Sequence, residues 1–266
     1  MIRRFIIFII YLLFATVIGT DFSRAISGED IIPISTDKEK RMGDSIAKRV
    51  EEKFDEVDDP LIQKRFEEIG KKLAAVCDRQ DLIYRFKVLK AKNNKEKYYN
   101  AFALPGGYVY IFDALMEKME TDDKIAAVTA HELGHISRRH SVERLRSSLG
   151  VNVLMILAMA ATRDGKTIAK TNEALLQLMM SYSREDEFEA DRLSVKYLEK
   201  AGFDTNGILE SLLTLQGLRK KGREMRYAFY KSHPYLSERI AACRAEIKGY
   251  TDFDSYINLP EEKEDF

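Results

Sequence analysis

Apolar and polar positions recur at different periods along the chain, and the changes of period mark out its elements. Phe5 to Ile18 is an uninterrupted apolar run behind a basic start, Met1-Ile2-Arg3-Arg4. A bilayer span takes about 20 apolar residues, and this run is shorter. Residues 1–25 therefore read as a secretory signal peptide or as an uncleaved N-terminal anchor, and the rest of the chain as exported. Ser35-Thr36-Asp37 offers caps for a helix running to about Val57. Asp59-Pro60 opens a second helix, with Asp as N-cap and Pro at the first helical position. Along it Ile62, Phe66, Ile69, Leu73 and Val76 step by four and three, which is one helical stripe.

The period then changes to two. Tyr84-Arg85-Phe86-Lys87-Val88 alternates as a half-buried strand does, and the polar stretch Lys92 to Lys97 makes a turn. Residues 100–104 and 108–112 flank Pro105-Gly106-Gly107, a hairpin signal. From Thr121 the pattern is helical almost to the end. It includes Leu149 to Ala161, strongly apolar but too short, at 13 residues, to cross a bilayer. That segment reads as a buried core helix or as a lid hinged at Arg163-Asp164-Gly165-Lys166. The expected fold is mainly α with a small antiparallel β-sheet (α+β). One domain spans residues 26–250, and an acidic tail covers 251–266.

Composition narrows the function. The 266 residues carry 43 Lys+Arg against 43 Asp+Glu, and a zero balance gives no support to nucleic-acid binding. Five Pro and 14 Gly favour long helices. Two cysteines, Cys77 and Cys243, exclude a disulfide-dense scaffold and an all-cysteine zinc site. They are read either as a disulfide, which export would allow, or as buried thiols.

The candidate chemistry lies at His131-Glu132-Leu133-Gly134-His135. Histidines at i and i+4 leave a helix on one face, so both imidazoles can reach a single ion, and the glutamate between them can act as general base toward a metal-bound water. Zinc needs a third protein ligand. Glu187 and Asp191, again i and i+4, offer one carboxylate for the metal and one to accept the ring N–H of a ligand histidine. The alternative for that acidic run is a solvated helix face, which is how Glu185, Asp186 and Glu189 are read. His140 is read as helix-end structure, five residues beyond His135 and off its face.

Four stretches carry a resemblance: Asn100 to Gly107, His131 to His140, Ser183-Arg184 through Asp191, and His233-Pro234 with Arg239-Ile240. In their order and separations they resemble the zinc metallopeptidases that include HtpX, BepA and LoiP, relatives of the CAAX prenyl proteases. The likeness covers roughly residues 35–250 and comes nearest to the compact exported type, though the lipid-bearing Cys typical of LoiP is lacking. It implies an HExxH zincin-type, gluzincin-like domain with one Zn2+ per chain. The implied ligands are His131, His135 and Glu187, with Glu132 as catalytic base and Asp191 as supporting carboxylate. His233 is implied to lie near the zinc and to contribute to latency. Ser194 stands where many relatives have Gly.

The expected activity is zinc-dependent endoproteolysis of unfolded or misassembled envelope proteins, in the periplasm or at a membrane, with contact to envelope assembly machinery and to membrane. The alternative is a latent, chaperone-like assembly factor with little proteolysis. Residues 100–104, with Asn100, Ala101 and Phe102, are a candidate edge strand for an extended substrate, or else a plain structural hairpin. His233, Tyr182 and Arg239 are unranked candidates for stabilising an oxyanion.

Overall fold

Among the described residues the first helix, α1 (Thr36–Lys53), starts at Ser35, whose hydroxyl accepts from the Lys38 N–H, and it buries Met42, Ile46 and Val50 on one stripe. The chain then straightens into β1 (Phe54–Glu56), ending the helix four residues before the expected Val57. Phe54 is the reason: its ring packs edge-on against Tyr98 and Phe112 at 5.3 and 4.9 Å, a contact made from extended backbone. The computed structural model describes residues 34–92, 96–159, 165–178, 181–221 and 228–249. The expected signal or anchor segment, the acidic tail and the side chains of the expected lid lie outside the described residues.

Helix α2 (Pro60–Ala74) begins as read, with the Asp59 carboxylate capping Leu61 and Pro60 in the first turn. Phe66, Ile69 and Leu73 are buried, each contributing about 1.5–3 kcal/mol. Three more strands follow: β2 (Arg85–Ala91), β3 (Ala101–Leu104) and β4 (Tyr108–Phe112). The four-stranded sheet has the order β1-β2-β4-β3.

The hairpin β3–β4 is antiparallel, pairing Ala101 with Ile111 and Leu104 with Tyr108, and its turn places Gly106 and Gly107 at φ 82° and 97°. That region is open to Gly at little cost. The expectation of an antiparallel sheet is corrected by the centre, where β2 and β4 run parallel with Phe86 opposite Val109. After β2 the chain crosses to the far edge before the hairpin brings β4 back beside it. The sheet is therefore mixed.

Strands β3 and β4 are buried on both faces, whereas β1 and β2 keep exposed or half-buried positions. Ala101, Ala103, Val109 and Ile111 join Phe66, Ile69 and Leu73 in the main core. On the opposite face Phe102, Tyr108 and Tyr110 form a row of stacked rings. This division follows the two-residue period of the strand.

The remaining described elements are helices: α3 (Asp113–Met119), α4 (Asp122–Arg138), α5 (His140–Met159), α6 (Gly165–Leu178), α7 (Arg184–Ala201), α8 (Asn206–Lys221), α9 (Phe229–Ser232) and α10 (Leu236–Lys248). Among the described residues no helix is long and apolar enough to cross a membrane. Cys77 and Cys243 are both buried free thiols, which decides between the two readings. Helix α4 lies centrally, packed on β3, α2, α7 and α8. Its contact with α7 depends on Gly134, where a Cβ would come within 2.8 Å of the Ala190 carbonyl oxygen. Beside it the buried Ser194 hydroxyl donates to the Ala127 carbonyl at 3.1 Å, so the serine at this place is satisfied within the packing.

Candidate metal centre

Thr121 caps α4 by accepting from the Lys124 N–H, and the helix is buried without a break from Ile125 to Ile136. It ends at Arg139, which takes the left-handed conformation at φ 61°, so that α5 starts in a new direction at His140. Arg139 is held there by an ion pair to the buried Glu39 at 3.1 Å. Glu39 also grips Arg79 at 2.9 Å and accepts from the Gly106 N–H, tying α1 and the hairpin turn to the end of the histidine helix.

From α4, His131 and His135 point their Nε2 atoms at one spot, 3.0 Å apart. Glu187 reaches the same spot from α7, its oxygens 3.5 Å from each Nε2. His233 arrives from the end of α9, its Nδ1 2.9 Å from Glu187 and 3.2 Å from His131. The candidate ligand atoms of these four residues all lie within 4.8 Å of one another, and all four side chains are buried.

The surrounding groups orient this set. His131 Nδ1–H donates to Asp191 at 2.8 Å, leaving the Nε2 lone pair free for a metal. Arg239, only 1% exposed, holds Asp191 with two hydrogen bonds of 2.7 and 2.8 Å and pairs with Glu187 at 2.6 Å. Tyr182 stacks on the His135 ring at a centroid distance of 3.9 Å, and the Arg144 guanidinium covers the outer face of Tyr182 at 3.8 Å. Phe229 stacks on His233 at 4.0 Å. The strap that carries Phe229 is tied down by its N–H to the Tyr99 carbonyl and by the Tyr182 N–H to the Ser232 carbonyl.

The electrostatics suit a cation. Burial lowers the pKa of both His131 and His135, so their imidazoles are neutral and able to ligate. Burial alone would raise Glu187 and Asp191, but the facing Arg239 and histidines outweigh it and keep both ionised. Burial pushes Glu132 up to about 7. With Glu132 ionised, Arg239 compensates only one of the three carboxylates, and a divalent ion would balance the remainder. Glu132 is fully buried with no hydrogen bond of good geometry to its carboxylate, a costly state that a metal and its water would relieve, whereas Glu187 Oε2 is paired with Arg239. The donor set of imidazoles and carboxylate fits zinc.

Every residue named for the site from the sequence meets here except on the strand, where the outcome divides. Strand β3 is an edge strand. Phe112 donates to the Asn100 carbonyl at 2.9 Å, so by alternation Ala101 and Ala103 turn their main-chain groups away from β4. The Ala103 backbone lies next to Glu132. The Phe102 side chain, in contrast, is committed to the aromatic face against Tyr110.

Two readings are revised. His140 is not in the cluster, yet its Nδ1 lies 2.9 Å from His135 Nδ1. Glu185 is exposed as expected, but Asp186 and Glu189 are half-buried, each 3.4 Å from His140 Nε2. Only the break at Arg139 brings His140 round; an unbroken helix would carry it off the face of His135.

The pattern of Peptidase family M48 matches residues 60–247. The chain is 28% identical over 231 residues to the putative beta-barrel assembly-enhancing protease of Vibrio cholerae, covering 82% of this chain and 46% of that protein. It is 30% identical over 215 residues to the mitochondrial metalloendopeptidase OMA1 of Schizosaccharomyces pombe, covering 78% and 60%. Against the metalloprotease YcaL of Escherichia coli the figures are 34% over 161 residues, 56% and 58%. The chain thus spans less than half the length of the Vibrio relative.

Proposed function

Since the chain belongs to peptidase family M48, we propose that it is an exported zinc endopeptidase, with one zinc per chain, that hydrolyses unfolded or misassembled envelope proteins in the periplasm or at a membrane. The observation that carries this reading is the convergence of His131, His135 and Glu187 beside the fully buried Glu132, whose Oε1 lies 3.4 Å from His233 Nε2. When bound, zinc supplies Lewis acidity, making a water acidic and polarising a carbonyl.

The chain's own residues supply the remainder. Glu132, with its pKa raised to about 7 by burial, takes a proton from water at Oε1 or Oε2 and later delivers it to the leaving amine. An ion beside it would draw that value down, favouring the ionised base. The Ala101 carbonyl and the outward main-chain groups of Ala103 align an extended substrate as an added strand, which restricts cleavage to chains that can unfold. The Ala101 N–H is donated to Asn100 Oδ1 at 3.0 Å. Tyr182, stacked on His135 at 3.9 Å, and His233, a member of the cluster, are our candidates to meet a developing oxyanion. Arg239 is already engaged by Asp191, Glu187 and the His233 carbonyl, and organises the carboxylates instead.

The test compares wild type with Glu132→Gln for zinc content and for degradation of an unfolded protein. We expect one zinc in both and at least a hundred-fold loss of cleavage in the variant. Cleavage within a few-fold of wild type would remove Glu132 from this role. A second reading, a latent assembly factor that rarely cuts, is favoured by the burial: His131, Glu132, His135, Glu187 and His233 are each at most 2% exposed. It predicts intact zinc and negligible cleavage by the wild type, with His233→Ala raising basal proteolysis.

A further inference from the structure

We propose that His140 is a positioning residue for the metal ligand His135, linking that ligand through a neutral imidazole to the half-buried carboxylates Asp186 and Glu189. This rests on the metal-site reading above but does not follow from it, since the ligand set and the base are complete without His140.

The argument is one of hydrogen-bond polarity. His135 presents Nε2 to the cluster, and a ligating nitrogen must offer its lone pair. The proton of the neutral ring therefore sits on Nδ1. The partner 2.9 Å from that Nδ1 is another imidazole nitrogen, His140 Nδ1, and it must be the acceptor. His140 then carries its own proton on Nε2, which faces Asp186 Oδ1 and Glu189 Oε2, both at 3.4 Å and both acceptors. One choice, made at the metal, fixes every proton in the row.

The geometry is held from several sides. His140 is 7% exposed, and its ring meets that of His135 at 71° with centroids 5.1 Å apart. The left-handed Arg139, anchored on Glu39, starts α5 where the ring can turn back. Glu189 is steadied by Arg138 at 2.9 Å, and the Asp186 N–H is fixed by the Ser183 hydroxyl at 3.2 Å. A ligand histidine ordinarily gives its second N–H to a carboxylate or carbonyl. Here an imidazole is interposed, so the acidic groups that polarise the ligand lie near the surface.

The experiment measures zinc affinity of the full chain by chelator competition, together with the visible spectrum of the cobalt-substituted protein. His140→Phe keeps a ring but offers no acceptor, and about a 10–100-fold weaker affinity is expected, with shifted cobalt bands. His140→Asn places an oxygen at the Nδ1 position and should restore affinity to within about three-fold. A merely structural His140 would lower the melting temperature of the metal-free protein in both variants, with no such rescue.

If His140→Phe does not fold, Asp186→Asn/Glu189→Gln decides. It alters two partly exposed groups and should still shift the cobalt bands. Affinity within two-fold of wild type in folded His140→Phe, or unmoved bands in the double variant, overturns the proposal. Failure of the wild type to bind one zinc overturns the metal reading itself and this inference with it.

Discussion

His131 and His135 leave the same helix one turn apart, yet they are held in opposite ways. His131 donates to Asp191, which is 2% exposed and locked by two bonds from the buried Arg239. His135 leads through His140 to two half-buried carboxylates. Sequence spacing makes the two histidines equivalent; the surroundings make one side dry and ionic and the other neutral and close to solvent. A buried ion pair cannot lose one member without stranding the other, whereas a partly exposed carboxylate is readily replaced by water. The two sides should therefore respond unequally to mutation.

The largest effect is expected on the ionic side. Arg239→Ala leaves Asp191 and Glu187 uncompensated and should cost about 3–5 kcal/mol in urea unfolding of the metal-free protein. A loss below about 1 kcal/mol would break the contrast at its stronger end. Next is Gly134→Ala, which must push α7 from α4 because the new Cβ meets the Ala190 backbone at 2.8 Å. About 1–3 kcal/mol is expected from thermal or chemical melts, and both histidines should lose orientation together, since all their anchoring carboxylates stand on α7. Asp191→Asn should weaken zinc binding about 10–100-fold, read by chelator competition. Glu189→Gln alone should change affinity by no more than about three-fold, because Asp186 shares the same ring N–H. Equal losses in the last two variants would mean that the sides do not differ.

How far the site could be read from the sequence depended on whether local geometry sufficed. The i, i+4 spacing of His131 and His135, and again of Glu187 and Asp191, follows from helix geometry alone, and the structure places all four as that spacing implies. Thr121, Asp59-Pro60 and the Pro105-Gly106-Gly107 turn are likewise local chemistry. The parallel pairing of β2 with β4 was not legible, because strand order depends on where the chain crosses and not on alternation. His140 was missed for a definite reason. Along one continuous helix it falls off the face of His135, and the positive φ at Arg139, a residue with no intrinsic preference for it, depends on the distant Glu39. The signal available was a histidine just past the end of the motif, in Arg138-Arg139-His140. Arg239 showed only as part of a motif, and its pairing with two carboxylates required the tertiary fold.

The strap over the cluster has a consequence for timing. Phe229 and Tyr182 lie flat on His233 and His135, and main-chain bonds to Tyr99 and Ser232 hold them there. An ion entering this site would meet ligands already oriented by protein–protein hydrogen bonds in the folded chain and covered by these two rings. Exchange of metal should then run at the rate of a local opening, with the same slow constant for release as for chelator attack, whatever the concentration of chelator. Such slow exchange would make the covering rings, as well as the ligands, set how long an ion stays.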